Sequence, residues 1–238
     1  MAKKLLSLLI IILSFNTLAN AQAALLVLIF GDRVATENFY FSWKGAINAS
    51  RHIGIDDSKM AIGPYFALTG TVKINDKWDF VPEFAALSTS GARKIPYSST
   101  GNSELDNLLG EDVSIKRINS YFDFPMIVHY NINEKIGIGG GFMLSYLTVS
   151  KNLYEGNGIN YTKDSRNEVR TVDYGFALDF KYTLVSQRSG KGIDILARYY
   201  QGFPNSNEAS YMDPYKRSYF QIGVGFPFVN NLVNEKKK

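Results

Sequence analysis

Between residues 218 and 228 the chain reads Ser-Tyr-Phe-Gln-Ile-Gly-Val-Gly-Phe-Pro-Phe, so that every second residue is bulky and apolar. Phe220, Ile222, Val224, Phe226 and Phe228 share one face, and Tyr219, Gln221, Gly223, Gly225 and Pro227 share the other. A period of two is that of a strand, and a face this apolar needs apolar surroundings on that side. A strand at the edge of a sheet leaves a row of backbone groups unpaired, and closing the sheet onto its first strand removes the edge. The segment is therefore predicted to be the closing strand of a barrel.

The same alternation recurs upstream, with candidate strands over residues 38–49, 60–74, 78–87, 114–132, 135–149, 168–184 and 192–203. Together with the last segment this makes about eight strands, an even number whose connections alternate between long and short, as in outer-membrane barrels. Tight turns are expected near Asp76, Glu134 and Ser189, and long loops near Asp56, Asn102, Asn157 and Asn207. Pro82, inside the third strand, requires a bulge or a locally broken ladder. Residues 91–113 form the longest stretch without periodicity, too long for a mere connection, and are expected to be the main functional surface, a binding loop for an envelope partner.

The fold class that follows is all-β: an eight-stranded antiparallel up-and-down transmembrane β-barrel over residues 38–228. A soluble barrel would turn its bulky face inward around a ligand. Here the other face, rich in glycine, alanine and threonine, suits a narrow interior. Lys44, Lys73, Glu83, Asp179, Lys181, Arg198 and Arg217 fall on that face and are expected to pair in the lumen as a charge network, because buried charges need partners. Phe39, Phe41, Trp78, Tyr130, Tyr182 and Phe228 fall near the strand ends on the side of the two termini, where an aromatic girdle is expected.

The first 21 residues combine Lys3 and Lys4, an apolar run over 5–15 and the small-residue pattern Ala19-Asn20-Ala21, the three regions of a cleaved secretory signal peptide. Residues 22–37 are then a periplasmic N-terminal segment, containing a second apolar run over 23–30, and residues 229–238 a basic tail. The formal charge of +4 falls by two once Lys3 and Lys4 are removed, and the remaining charges are scattered, so nucleic acid is not an expected partner. Cysteine is absent, which excludes disulfides, a thiol nucleophile and a thiolate metal site.

Residues 41–50, Phe-Ser-Trp-Lys-Gly-Ala-Ile-Asn-Ala-Ser, resemble the opening Lys-x-Gly-x-Asn-x-Ser pattern of the PorT-like outer-membrane β-barrel proteins of Gram-negative bacteria, with the glycine one place nearer the lysine. Residues 121–130, Tyr-Phe-Asp-Phe-Pro-Met-Ile-Val-His-Tyr, are similar to that family's aromatic, acidic, proline-bearing strand. The resemblance spans residues 38–228 and implies an outer-membrane barrel inserted by the barrel-assembly machinery, in contact with outer-membrane lipids. It also implies a link to protein secretion or surface assembly, through a partner it does not identify.

Catalytic patterns are lacking. His52 and His129 are the two histidines, without metal-ligand or triad spacing. The run Gly137-Ile138-Gly139-Gly140-Gly141 lies within a strand pattern with no helix to follow, so it reads as lumen packing rather than a phosphate loop. Asp123, Asp173, Asp179 and Glu83 are expected to be salt-bridged inside the barrel rather than to form an acidic catalytic pair, and the acidic residues between Glu104 and Asp112 a solvated loop rather than a Ca²⁺ site. No cofactor and no enzymatic activity are expected. A structural or interaction role ranks first, a narrow porin-like channel second, and a membrane-embedded enzyme or lipocalin-like binder behind both.

Overall fold

The computed structural model describes residues 38–185, 192–209 and 213–228. The expected signal peptide, N-terminal segment, basic tail and turn at Ser189 lie outside the described residues. Among the described residues the strands are β1 (Phe39–Ile53), β2 (Lys59–Lys73), β3 (Trp78–Arg93), β4 (Ser114–Asn131), β5 (Ile136–Gly156), β6 (Ile159–Asp164), β7 (Val172–Val185), β8 (Ile193–Gly202) and β9 (Lys216–Phe228), with one α-helix, α1 (Ser103–Leu109), and a 3₁₀ turn (Arg166–Glu168). Neighbours run β4-β3-β2-β1-β9-β8-β7-β5, and the pairing of β4 with β5 closes eight strands into an antiparallel barrel. The first and last of these strands pair in the β1–β9 ladder, from Phe41 opposite Phe228 to Ile53 opposite Lys216.

The alternation read from the sequence sets the two faces. On β1, Tyr40, Ser42, Lys44, Asn48, Ser50 and His52 are buried inside, while Ile47 on the outer face is 58% exposed. On β9, Gln221 is buried and Ile222 is 58% exposed. The inside is mostly polar and the outer wall is covered by exposed Phe, Ile, Leu and Tyr, the reverse of a soluble barrel. At the end where β1 begins and β9 ends, the proximal end, the Asn75 and Asn133 side chains each accept two backbone N–H groups and tighten the β2–β3 and β4–β5 turns.

Pro82 produces no bulge but interrupts the ladder locally: the β2–β3 pairing passes from Thr69–Glu83 to Val72–Phe80 in one register, without pairs at Gly70–Pro82 and Thr71–Val81. Bulges lie elsewhere. One between Ala85 and Ser88 turns Leu87 outward, to 40% exposure, where strict alternation placed it inside. A second, between Leu147 and Val149 opposite Tyr121 and Ser120, resets β5 so that Ser150, Asn152 and Tyr154 point inward.

At the distal end the strands outrun their predicted limits. The loop expected over residues 51–59 shrinks to 54–58. Residues 150–167, expected to be a loop, instead continue β5 and fold back as β6, paired from Lys151–Asp164 to Gly156–Ile159. Residues 91–113 are not wholly aperiodic either. They begin inside β3 and contain α1, whose first N–H groups, from Glu104 and Leu105, donate to the Asn102 side chain.

Candidate functional site

Alternating inward positions on narrowly spaced strands bring side chains from all sides of the barrel into contact, so charges far apart in sequence meet in the lumen. In the proximal half, Arg198 on β8 donates through Nε and Nη2 to Asp179 at 2.6 and 2.8 Å, and through Nη1 and Nη2 to Glu83 at 3.1 Å. Lys44 approaches Glu83 at 3.5 Å, the Tyr65 hydroxyl hydrogen-bonds the same carboxylate, and His129 lies 3.4 Å from Asp179. Below them Lys181 faces Asp79 at 3.8 Å. The remaining space among these groups is a cavity of about 40 Å³.

Nearer the distal end Arg217 bridges Asp123 at 3.1 Å and Asp173 at 3.7 Å. Its guanidinium rests on Tyr121, 3.9 Å from the ring centre, with Tyr200 and Tyr219 on its flanks, so the cation is held by aromatic faces as well as by counter-ions. Above it Arg117 donates to Glu168 at 2.6 Å and to Asn152 at 2.8 Å, and Lys163 reaches Glu168 at 3.0 Å.

The distal mouth is covered. Ile95, Leu109, Ile115, Tyr154 and Tyr215 form an apolar cluster over the charges, supported by Leu105, Val113 and Ile159. Asn157 donates to the carbonyl of Leu108 and Lys163 to that of Ser99, tying the β5–β6 hairpin to the α1 segment. His52 stacks on Tyr215 with ring centres 3.8 Å apart.

Six of the seven residues expected in a charge network are ion-paired in the lumen in three groups: Lys44, Glu83, Asp179 and Arg198 together, Lys181 with Asp79, and Arg217 with Asp123 and Asp173. Lys73 is not: its strand ends at the proximal rim, where it is exposed and has no ion-pair partner among the described residues. Sequence reading missed Arg117 and Glu168, which precede or follow the clear alternation, and gave no place to His129 in the network. Of the aromatics, Phe39 packs against Phe41 with centres 5.1 Å apart and Trp78 against Tyr130 at 4.9 Å, while Tyr182 lies opposite Ile136 and Phe228 opposite Phe41 in the strand ladders.

Among the described residues no cluster of His, Asp and Glu has the geometry of a metal site. The glycine run lies in β5, and a Cβ on Gly139 would meet the His129 ring at 2.0 Å, so this glycine makes room for a lumen side chain.

A stretch of 129 residues is 31% identical to homoserine kinase of Candida albicans, covering 53% of this chain and 34% of that enzyme, so the chain spans about a third of its length. Among solved structures, Ail of Yersinia pestis is 14% identical, covering 80% of this chain and 99% of Ail, with a TM-score of 0.42. OprG of Pseudomonas aeruginosa is 17% identical over 82% of this chain and 98% of OprG, with a TM-score of 0.36. The model of the outer membrane protein beta-barrel domain matches residues 35–208, and the chain, a closed antiparallel barrel, belongs to that family of outer-membrane proteins.

Proposed function

We propose that this outer-membrane protein is a closed barrel of interaction type, whose distal cap is a rigid extracellular recognition surface for an envelope or surface partner. The observation that carries this reading is the cap itself. Residues 94–113 and the β5–β6 hairpin are cross-tied and seated on a buried apolar cluster, yet present Tyr97, Leu108 and Tyr161 to solvent at 54%, 58% and 37% exposure. Aromatic and aliphatic side chains held on a rigid support lose little conformational freedom on binding, which suits them to act as anchors. Lumen charges paired beneath the cap speak against a porin-like path, and the PorT-like patterns near Trp43 and Tyr121 favour a role in secretion or surface assembly. This reading includes export through a leader ending at Ala21 and insertion by the barrel-assembly machinery.

In vivo crosslinking from a photoreactive residue at Asn107 tests the proposal. A discrete adduct that disappears with Tyr97→Ala and Leu108→Ala, while the barrel remains folded, supports a cap partner. Absence of any adduct, together with full rescue of the deletion phenotype by the double variant, rejects it.

A further inference from the structure

Just beyond the outer apolar wall at the distal end, five adjacent strands each carry one cation: Lys116 on β4, Arg93 on β3, Lys59 on β2, Arg51 on β1 and Lys216 on β9. Arg93 stands directly opposite Lys116 on one side and Lys59 on the other. Arg51 points outward one residue past the Ser50–Ala61 pair, and Lys216 lies opposite the outward Ile53. Like charges directly opposed on neighbouring strands destabilise a sheet. Among the described residues none of the five has an ion-pair partner. The nearby carboxylates Asp56, Asp57, Asp112 and Asp213 are exposed on connections further from the wall, and Glu155, outward on β5 and diagonal to Lys116, forms no ion pair with it. Arg93 is also fixed in place, its Nε donating to the Met60 carbonyl at 2.8 Å.

The height of this arc identifies its counter-ion. Lys116 is two residues beyond the outward Ile118, and Arg51 four beyond the outward Ile47. At about 3.3 Å per residue and a tilt of about 40°, the cations stand roughly 5–10 Å above the apolar edge, at headgroup level. Five strands at about 4.8 Å spacing make the arc roughly 19 Å wide. We propose that it binds the phosphorylated headgroup of an outer-leaflet glycolipid of the lipid A type, with the acyl chains lying on the wall beneath. A free anion would use only the charges, whereas an amphiphile uses both the charges and the exposed Ile47 and Ile62 below them. The proposal rests on the outer-membrane setting and is independent of what the cap binds.

The test uses the mature protein folded in detergent micelles and titrated with diphosphoryl lipid A, with the same lipid stripped of its phosphates, and with inorganic phosphate at millimolar concentration. The thermal midpoint of the heat-modifiable band and retention of lipid through gel filtration are measured. Diphosphoryl lipid A should raise the midpoint, the stripped lipid should not, and R51Q/R93Q/K116Q should weaken the effect at least tenfold, while K135Q at the proximal turn behaves as wild type. Should the triple variant not fold, R93Q alone must lose at least threefold. Wild-type affinity in the variants, equal binding of the stripped lipid, or equal protection by inorganic phosphate would each overturn the proposal.

Discussion

Replacing Arg198 by methionine tests whether the lumen charges act as one neutral unit. Arg198 is buried and divides its guanidinium between Glu83 and Asp179, with Tyr65 as a further acceptor at 3.3 Å. With Lys44 as the second cation, the group balances two positive charges against two negative ones. Removing Arg198 leaves two buried carboxylates facing one ammonium. Hydrogen bonds to charged groups are worth about 1.5–3 kcal/mol each, but much of that offsets desolvation already incurred, so the net loss expected from breaking a buried pair is about 3–5 kcal/mol. Arg198→Met with Asp179→Asn restores neutrality and should recover at least half of the loss. Urea unfolding of barrels reconstituted in short-chain lipid vesicles, followed by tryptophan fluorescence and gel mobility, gives both values. A cost for Arg198→Met below about 1 kcal/mol, or a double variant no more stable than the single, would mean that the carboxylates are solvated and the lumen is wet enough to screen them.

The two faces of β9 make a second test: Ile222→Arg should cost about 2–4 kcal/mol by placing a charge in lipid. Gln221→Arg, toward the lumen, should be milder, and the reverse ranking in the same urea assay would exchange the faces. In the cap, Leu109→Ala should cost about 2–5 kcal/mol of local stability, seen as faster trypsin cleavage of residues 94–113 with the barrel intact. Unchanged protection would mean that the segment is not anchored by its apolar cluster.

Most of the barrel was legible because lipid on one side and packed small or polar groups on the other impose a sharp contrast on alternate residues. Phe220 to Phe226 and Phe122 to Tyr130 show it without interruption. Where the outside is water the contrast vanishes: Lys151 and Glu155 outside differ little in polarity from Asn152 inside, so the β5–β6 hairpin reads as a loop. The two bulges were hidden as well, since an extra residue beside Ala86 or Thr148 shifts the inward set without leaving a turn residue to mark it. Lys73 failed for a different reason. Its parity was inward, but parity places a side chain in the lumen only where strands continue on both sides. Arg117 and Glu168 were out of reach because nothing in the spacing of residues 51 positions apart links β4 to the turn at 166–168 until the fold brings both against Asn152 of β5.

The β1–β9 seam also couples closure of the barrel to charge pairing in its lumen. Asp123 on β4 and Asp173 on β7 find their common cation in Arg217, which the chain supplies only with its last strand. Until β9 docks, those two carboxylates face an unfinished lumen without the guanidinium that joins them, and β1 and β8 each lack a partner on one edge. Docking of the final strand therefore fills the last backbone ladder and neutralises the interior in one event. A barrel missing this thirteen-residue strand is left electrostatically unfinished as well as open.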